Sequence, residues 1–480
     1  MGSTYKKVEF TTFYNVIDGK LVSTEHTRHG INPATGKPNP EVPIATKEDV
    51  DAALEAAKKA FPGWAATPIA ERRKALVALA DAVLAQKDEF IKLLIAEQGK
   101  PTFLANTELD GAINGLRKTA ELELPELVRE EETRILKVRY TPLGVAVGIV
   151  PWNFPIMLTV SKLAPAVLAG NTVLIKPSPF TPYTGLKVVE LAQQFFPPGV
   201  VSVLSGDDGL GPLLTAHPIP QKISFTGSTF TGKKVAESAA KTLKRVTLEL
   251  GGKDPAIILD DINIAEVAPK IAQSSFLNSG QLQQVCLAVK RIFVQESIIE
   301  PFRDALVAAT KHLAVGPGTE PGVFLGPVQN SLQYEKVKTF FDEAHKEKQT
   351  IAVGGVNPTG DGYFITPTII DRPAENSKLA REEPFGPIVP LLSFKTEEEA
   401  IAKANNTSYG LGASVWSSNV ERANKIAERL EAGSVWVNSH LNLDPTLPFG
   451  GHKESGIGIE GGVGGLISYT NSQTLYLQKA

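Results

Sequence analysis

Short apolar runs that alternate with single helical stretches are the feature that most constrains how this chain folds. From residue 140 onward, β-branched runs occupy 144–150, 172–176, 200–204, 222–225 and 245–250, with helical stretches between them at about 154–169, 183–195, 208–216 and 228–241. Strands of this buried type, each followed by one helix, predict a doubly wound, mostly parallel α/β sheet. Ligands bind such sheets beyond the carboxyl ends of the strands, often at helix N-termini.

A second alternating series predicts a second α/β domain. Its strands are expected at 291–295, 350–354, 366–370, 388–394, 412–417 and 434–438, and its helices at 263–279, 297–313, 331–348, 396–405 and 419–431. Two more helices are expected before the first series, at 47–61 and 69–97. The segment 121–141 is charged and alternating and lacks helix caps, which indicates a strand excursion out of the first domain.

Length and charge narrow the possible classes of function. The 480 residues suggest about three structural units, and the net charge of −3 argues against a nucleic-acid partner. No apolar run approaches the ~18 residues needed to cross a membrane, and the N-terminus lacks the apolar core of a secretory signal. We therefore expect a cytoplasmic protein that has no membrane partner.

Cys286 is the one cysteine, which excludes an intrachain disulfide and a cysteine-based zinc site. The histidines form no HxxxH or HExxH pair and the GxSxG motif is absent, so neither a catalytic metal nor a serine hydrolase is expected. Cys286 remains the best nucleophile candidate. A lone cysteine is usually an inert buried side chain, but the polar, glycine-containing segment 278–286 favours a reactive thiol.

Two other polar residues stand at the ends of predicted strands. Glu249 precedes a Gly-Gly pair and is either a general base whose pKa is raised by burial or a structural carboxylate that caps the turn. Asn153 lies within the sequence Pro-Trp-Asn-Phe-Pro. Its amide either stabilises an oxyanion or closes a turn.

Two glycine-rich segments match phosphate-binding motifs incompletely. Residues 227–233 nearly form a P-loop, but Lys234 stands where that motif requires serine or threonine. The segment still follows a predicted strand and opens a helix, so its backbone N–H groups could face a cofactor phosphate. Residues 456–461 match GxGxxG, but no predicted strand precedes them, and we do not interpret them as a dinucleotide fingerprint.

Taken in order, several motifs resemble those of the aldehyde dehydrogenase superfamily, in its NAD(P)-dependent, non-acylating type. They lie at 151–155, 170–178, 225–228, 248–253, Cys286, 382–387 and 448–456, and the resemblance covers nearly the whole chain. It implies an α/β fold with a doubly wound dinucleotide-binding domain, an α/β catalytic domain and a small β oligomerisation element. The implied bounds are 1–120 with 142–251, then 252–466, and 121–141 with 467–480.

The resemblance also implies roles for individual residues. Cys286 matches the nucleophile, Glu249 the general base, Asn153 the oxyanion donor and Lys162 a lysine in a proton path. The implied contacts with NAD or NADP are Pro151, Trp152, Lys176, Ser178, Gly227, Ser228, Glu383 and Phe385. The implied reaction oxidises an aldehyde to its acid through a cysteine thiohemiacetal and thioester, in a homodimer or homotetramer.

One departure from the family pattern leaves an alternative open. Gly280-Gln281 stands three residues farther from Cys286 than the family's Gly-Gln-x-Cys pattern, with Leu282–Gln284 as the insertion. A shift of ~1 Å in a reacting group can cost about 100-fold in rate. A weakly active or inactive pseudoenzyme is therefore one alternative. A CoA-acylating semialdehyde dehydrogenase is another, although such members generally lack the glutamate base.

Two further departures bear on specificity. Pro179 stands where many NAD-preferring members carry a glutamate, which makes NADP use feasible with Lys176 and Ser178 as phosphate partners. Ser161 stands where several members carry tryptophan and predicts a wider substrate tunnel. The candidate wall residues of that tunnel are Leu158, Trp152 and His440.

Overall fold

The computed structural model describes residues 5–276, 285–355 and 361–479 of the 480-residue chain. Short strands and helices come first: β1 (Asn15–Ile17), β2 (Lys20–Val22), β3 (Thr27–Ile31), β4 (Pro38–Pro43), α1 (Lys47–Ala66), α2 (Ile69–Leu84), α3 (Lys87–Gln98) and α4 (Thr102–Glu121). A hairpin and an alternating series follow: β5 (Leu127–Glu130), β6 (Arg134–Pro142), β7 (Val145–Ile149), α5 (Pro155–Leu168), β8 (Thr172–Lys176), α6 (Tyr183–Ala192), β9 (Val201–Val203), α7 (Leu210–Ala216), β10 (Lys222–Thr226), α8 (Thr229–Ala240) and β11 (Arg245–Glu249).

The second half of the chain repeats the alternation. Its elements are β12 (Asp254–Ile258), α9 (Ile264–Phe276), β13 (Val289–Gln295), α10 (Ile299–Lys311), α11 (Ser331–Lys346), β14 (Thr350–Val353), β15 (Thr368–Asp371), α12 (Lys378–Arg381), β16 (Ile388–Phe394), α13 (Glu397–Asn405), β17 (Tyr409–Gly410), β18 (Gly412–Trp416), α14 (Val420–Ala427), β19 (Ser434–Val437), β20 (His452–Lys453), β21 (Gly456–Ile457), α15 (Gly462–Ile467) and β22 (Thr470–Gln478). No helix within the described ranges combines the length and apolarity that crossing a bilayer requires.

The first sheet is the doubly wound sheet that the sequence predicts. Its order is β2-β1-β9-β8-β7-β10-β11-β21, and the strands from β9 to β11 run parallel. Residues of β7 alternate between two cores, because Ala146 packs with helices α2 to α6, whereas Val145 and Val147 pack with α1, α7 and α8. The chain leaves β7 toward β8 on one side and later returns to β10 on the other. This reversal is where such sheets bind ligands.

The second sheet has the order β14-β15-β16-β13-β12-β18-β19, with β14 as its antiparallel edge. Its interior strand β12, next to the central β13, was missed by the sequence analysis. Asp254 and Pro255 open that strand, and proline removes a ladder hydrogen bond, so the sequence argues against a central position. The structure accommodates Pro255 at an irregularity in the register with β13.

A separate three-stranded antiparallel sheet joins the hairpin β5–β6 to the C-terminal strand β22. Strand β22 pairs with β6 along its whole length, from Thr470 opposite Pro142 to Gln478 opposite Arg134. These strands come from the two segments that the resemblance grouped as an oligomerisation element. That role remains a prediction.

One expectation about the early helices was wrong, and one helix was missed. The helix predicted at 69–97 is divided into α2 and α3, because Gln86 turns its side chain to accept from Val8 N at 2.9 Å, between the two helices. Helix α4 was not predicted. Its Gly111 and Gly115 lower helix propensity but permit close packing on α5, where a Cβ at position 111 would lie 3.3 Å from Met157 Sδ.

Candidate active site

The candidate site lies where the chain crosses from the first sheet to the second. Glu249 is the last residue of β11, and β12 begins five residues later. Between them, a Cβ at position 252 would overlap the carbonyl oxygen of Cys286. Gly252 is therefore required for the crossing to pass this close to the nucleophile candidate. The structure brings Cys286 and Glu249 together, as the sequence analysis predicted for a single site.

The thiol of Cys286 is partly buried in an apolar cluster. The other partly buried side chains packed against this cluster, to which the sequence analysis assigned no role, are Phe154, Trp436, Leu441 and Phe449. Burial raises the pKa of Cys286 to about 12. At neutral pH these surroundings therefore favour the neutral thiol. The inserted residues Leu282–Gln284 lie outside the described residues.

Glu249 has the environment expected of a general base. Its carboxyl group is buried, and within the described ranges neither carboxylate oxygen has a hydrogen-bond partner. Burial raises the pKa of Glu249 well above its usual value; Glu460 adds to this effect and Lys162 opposes it. The adjacent Gly-Gly turn is held by other groups, since Ser455 Oγ donates to Gly251 O at 2.6 Å. The alternative role as a turn cap is therefore disfavoured.

Lys162 belongs to a buried polar network beside Glu249. Its ammonium donates to Glu460 Oε1 at 2.7 Å and to Thr226 Oγ1 at 2.8 Å. The Ser161 hydroxyl lies 3.1 Å from Leu158 O and 3.3 Å from Glu460 Oε2, and the wider tunnel predicted from Ser161 stays a prediction. Glu460 was missed because it lies in the glycine-rich segment that had been set aside. An acidic residue among glycines was the available signal.

Asn153 is buried and lies in the loop that joins β7 to α5. Its backbone carbonyl accepts a hydrogen bond from Lys100 Nζ at 3.2 Å, and Lys100 forms a buried ion pair with Glu108. Glu108 in turn accepts from Ile156 N at 3.0 Å and Met157 N at 3.2 Å, the N-terminal N–H groups of α5. A pair of α4-side residues thus fixes the loop, and the sequence analysis missed both.

The candidate cofactor residues surround the carboxyl ends of β7, β8 and β10. Lys176 ends β8, where burial lowers its pKa to about 8 and its ammonium donates to Pro177 O at 3.3 Å. Ser228 caps α8 by accepting from Thr231 N at 3.2 Å, and Gly227 N donates to Glu249 O at 3.0 Å. Ser178 Oγ accepts from Phe180 N at 3.2 Å. Pro151 follows the end of β7, next to Trp152.

Trp152 and Phe385 connect this region to Glu383. Their rings meet edge to face with centroids 5.4 Å apart, and Phe385 adopts the left-handed φ of 52°. Glu383 Oε1 accepts from Gly252 N at 3.2 Å and pairs with Lys290 Nζ at 2.7 Å. The left-handed φ of Phe385 is a form of backbone strain that concentrates at functional sites. The predicted cofactor pair therefore lies directly beside the crossing.

His440 lies beside Leu287, the residue that follows Cys286. Its Nε2 is 2.7 Å from Leu287 O, and its ring packs on Trp436 with centroids 4.9 Å apart. Burial lowers the pKa of His440 to about 4, so the ring is neutral at physiological pH and Nε2–H donates to the carbonyl. Leu158, another proposed wall residue of the substrate tunnel, packs against the hydrophobic core that contains helices α2 to α6.

Comparison with known proteins decides the family. The sequence profile described as the aldehyde dehydrogenase family matches residues 21–475. The chain belongs to the aldehyde dehydrogenase family. It is 43% identical over 476 residues to an aldehyde dehydrogenase of Fusarium sp, covering 98% of this chain and 100% of the relative. It is 38% identical over 477 residues to the 2-aminomuconic semialdehyde dehydrogenase of Bos taurus, covering 96% and 97% of the two chains.

Solved structures confirm the aldehyde dehydrogenase fold. The betaine aldehyde dehydrogenase of Staphylococcus aureus in complex with NAD+ superimposes with a TM-score of 0.94 at 33% identity, over 97% of this chain and 95% of that one. An NAD-dependent aldehyde dehydrogenase of Sinorhizobium meliloti gives 0.94 at 34% identity, over 97% and 94%. The predicted family, fold class and enzyme class, an aldehyde dehydrogenase, are therefore confirmed.

Proposed function

We propose that this chain oxidises an aldehyde to the corresponding carboxylic acid with NAD or NADP, through Cys286. The observation that carries the proposal is the buried Glu249 carboxyl group, which has no hydrogen-bond partner among the described residues and lies within electrostatic range of the Cys286 thiol. A basic carboxylate next to a thiol is what hydrolysis of a cysteine thioester requires. Both groups lie at the crossing between the sheets.

In this mechanism the Cys286 thiolate attacks the aldehyde carbonyl carbon and forms a thiohemiacetal. The Asn153 amide and the Cys286 backbone N–H stabilise the oxyanion, and loss of one such donor typically costs roughly 3–4 kcal/mol of barrier. After oxidation to the thioester, Glu249 accepts a proton from water, whose oxygen attacks the acyl carbon and releases the acid. We assign the onward transfer of that proton to Glu460 and Lys162, which are hydrogen-bonded to each other and both influence Glu249 electrostatically.

The residues at the strand ends fit a nicotinamide dinucleotide. The cofactor supplies the two-electron acceptor when it is bound. Lys176 presents a buried ammonium whose one hydrogen bond in the described structure goes to its neighbour's carbonyl, which suits ribose hydroxyls. The N-terminus of α8 suits a pyrophosphate. A Cβ at position 251 would lie 2.5 Å from Glu383 Oε2, so Gly251 leaves that carboxylate room to hold a ribose.

The choice between NAD and NADP rests on Pro179 and on the complexes of relatives. NAD+ is the cofactor in the Staphylococcus aureus structure. Pro179 supplies no carboxylate against a 2′-phosphate, and Ser178 adds a hydroxyl beside Lys176. We therefore propose that both cofactors are accepted, and that substrate assays with each decide the preference.

The two alternatives make different predictions in one assay. Purified protein is mixed with a panel of aldehydes and NAD or NADP, with and without CoA, and reduced cofactor is followed by absorbance. Turnover without CoA supports hydrolysis by Glu249, and strict dependence on CoA supports the acylating alternative. Cofactor binding with no turnover for any aldehyde supports the pseudoenzyme and contradicts the proposal.

A further inference from the structure

Lys290 is a buried cation beside the nucleophile to which the proposed reaction assigns no role. It is the second residue of β13, four positions after Cys286, and its side chain is fully buried. Its ammonium donates to the carbonyl oxygen of Cys286 at 2.7 Å and pairs with Glu383 Oε1 at 2.7 Å. It also lies 5.8 Å from the centre of the Phe385 ring. One side chain thus joins the nucleophile's backbone to the cofactor side of the site.

The neighbouring cation on the same strand has a different task. Arg291 has other partners than Lys290, although the two residues are adjacent at the irregularity where β13 pairs with β12. Arg291 donates to the carbonyl oxygens of Lys253 at 2.9 Å and Ala404 at 2.7 Å, and so ties β13 to adjacent segments. Lys290 contacts the reacting region instead. Its charge is therefore not explained by the packing of the sheet.

The charges around the thiol favour opposite protonation states. Burial together with the carboxyl groups of Asp254, Glu383 and Glu249 favours the neutral thiol and raises its pKa. The ammonium of Lys290 acts in the other direction. Burial also raises the pKa of Asp254 to about 8, which reduces its charge at neutral pH. The balance at Cys286 thus depends on one buried lysine against several carboxyl groups.

We propose that Lys290 is a positioning residue that fixes the backbone of Cys286 against Glu383 and favours the thiolate over the thiol. Its positive charge stabilises negative charge on sulfur, and the proposal assigns it no part in accepting the thiol proton. The inference rests on the proposed function only in taking Cys286 as the nucleophile. It predicts a property of the free protein that is measurable without substrate or cofactor.

The test uses the single thiol. Because Cys286 is the one cysteine of the chain, alkylation of the intact protein by iodoacetamide, followed by mass spectrometry, reports on it alone. Lys290→Met is expected to slow alkylation at neutral pH by about tenfold, since loss of a nearby opposite charge disfavours the thiolate. Lys290→Arg keeps the charge and is expected to retain most of the rate. Glu383→Gln is expected to accelerate alkylation.

Two matched controls separate charge from placement. His440→Phe removes the neutral hydrogen bond to the Leu287 carbonyl without changing the charge, so the pH profile of alkylation is expected to keep its position. Lys187→Met removes a buried lysine that pairs with Glu190 in the first domain, and alkylation is expected to be unchanged. If Lys290→Met does not fold, the double variant Lys290→Met with Glu383→Gln removes both charges of the pair and is compared with Glu383→Gln.

Several results would overturn the inference. One is an unchanged alkylation rate in folded Lys290→Met, and another is a Lys290→Arg variant that is alkylated as slowly as Lys290→Met. The third is a shift of the pH profile of alkylation in His440→Phe as large as that in Lys290→Met. The aldehyde assay is scored separately. If the wild-type protein turns over no aldehyde but Lys290→Met still slows alkylation, the proposed function fails and this inference stands. If the wild-type protein oxidises aldehydes and Lys290→Met is alkylated at the wild-type rate, the proposed function stands and this inference fails.

Discussion

The chemistry of the site depends on single residues whose burial shifts their protonation. Burial raises the pKa of Cys286 to about 12 and that of Glu249 well above its usual value, so both protons are held more tightly than in water. A carboxylate of raised pKa is a stronger base for activating water. A thiol of raised pKa needs nearby positive charge to ionise at neutral pH. The raised pKa thus favours Glu249 as a base, whereas it opposes ionisation of Cys286 in the same pocket.

Replacing the nucleophile tests its assignment directly. Cys286→Ala is expected to abolish aldehyde oxidation, because no other thiol exists in the chain. Folding and cofactor affinity are expected to stay nearly intact, since alanine fits the space that the thiol fills. The measurements are reduced cofactor by absorbance, cofactor binding by titration of tryptophan fluorescence, and thermal unfolding. Surviving oxidation in a protein of correct mass would show that another group attacks the aldehyde.

Replacing the base separates the two halves of the reaction. Glu249→Gln keeps the shape of the side chain but cannot accept a proton, so hydrolysis of the thioester is expected to slow by about 100-fold or more. Rapid mixing should then give a burst of reduced cofactor, followed by a slow steady state. Mass spectrometry should detect the acyl group on Cys286. Steady turnover at the wild-type rate would exclude Glu249 as the base.

At the scale of elements, helix α5 and the loop before it are held in place by residues on and just before helix α4. Glu108 on α4 caps the first turn of α5, and Lys100 holds the carbonyl of Asn153 in the preceding loop. Backbone N–H groups at a helix start need such partners. The backbone of Asn153, the proposed oxyanion donor, is therefore held by an ion pair whose two residues have no proposed catalytic or cofactor role.

This arrangement predicts different effects on stability and on rate. Glu108→Gln is expected to destabilise the fold by about 3–5 kcal/mol, because it leaves Lys100 buried and unpaired. The double variant Lys100→Met with Glu108→Leu is expected to recover stability while kcat stays about 100-fold low, because Asn153 is no longer held. Chemical denaturation and steady-state kinetics measure the two effects. Recovery of kcat together with stability would contradict a positioning role.

The accuracy of the sequence analysis varied from element to element for physical reasons. Strands such as β8 and β16 were predicted because buried parallel strands are continuous apolar runs. Strand β12 was missed because Pro255 is read as a strand breaker, and α4 was missed because its glycines serve packing on α5. The site residues at motif positions were predicted from the sequence and stay predictions, whereas Lys100, Glu108 and Glu460 were not predicted. Their partners are distant in sequence and only folding brings them together.

At the scale of the whole molecule, the two α/β sheets meet at the site. The chain crosses from the first sheet to the second through Gly252. It returns to the first sheet at β21, which pairs antiparallel with β11 and sets Gly456 opposite Glu249. Glu249, the proposed base, therefore lies between an outgoing and a returning segment of the chain. The three-stranded sheet of β5, β6 and β22 is a separate element. Its exposed apolar residues suggest a role between subunits, in line with the predicted homodimer or homotetramer.

The last prediction concerns that sheet. Leu127 is 65% exposed and Tyr476 is 67% exposed, and both flank strand β6 on the same face, opposite Val138 and Leu136. Because these exposed apolar side chains share one face of a sheet and do not stand singly, we expect a second copy of the chain to cover them.

The double variant Leu127→Glu with Tyr476→Glu is therefore expected to lower the mass measured by light scattering from an even-numbered oligomer to a smaller species, because carboxylates resist burial at an interface. Leu332→Glu is the matched control, since Leu332 is 72% exposed on α11 in the second domain and its replacement should leave the mass unchanged. A monomeric wild-type protein, or an equal loss of mass in Leu332→Glu, would refute the assignment of this face as the subunit interface.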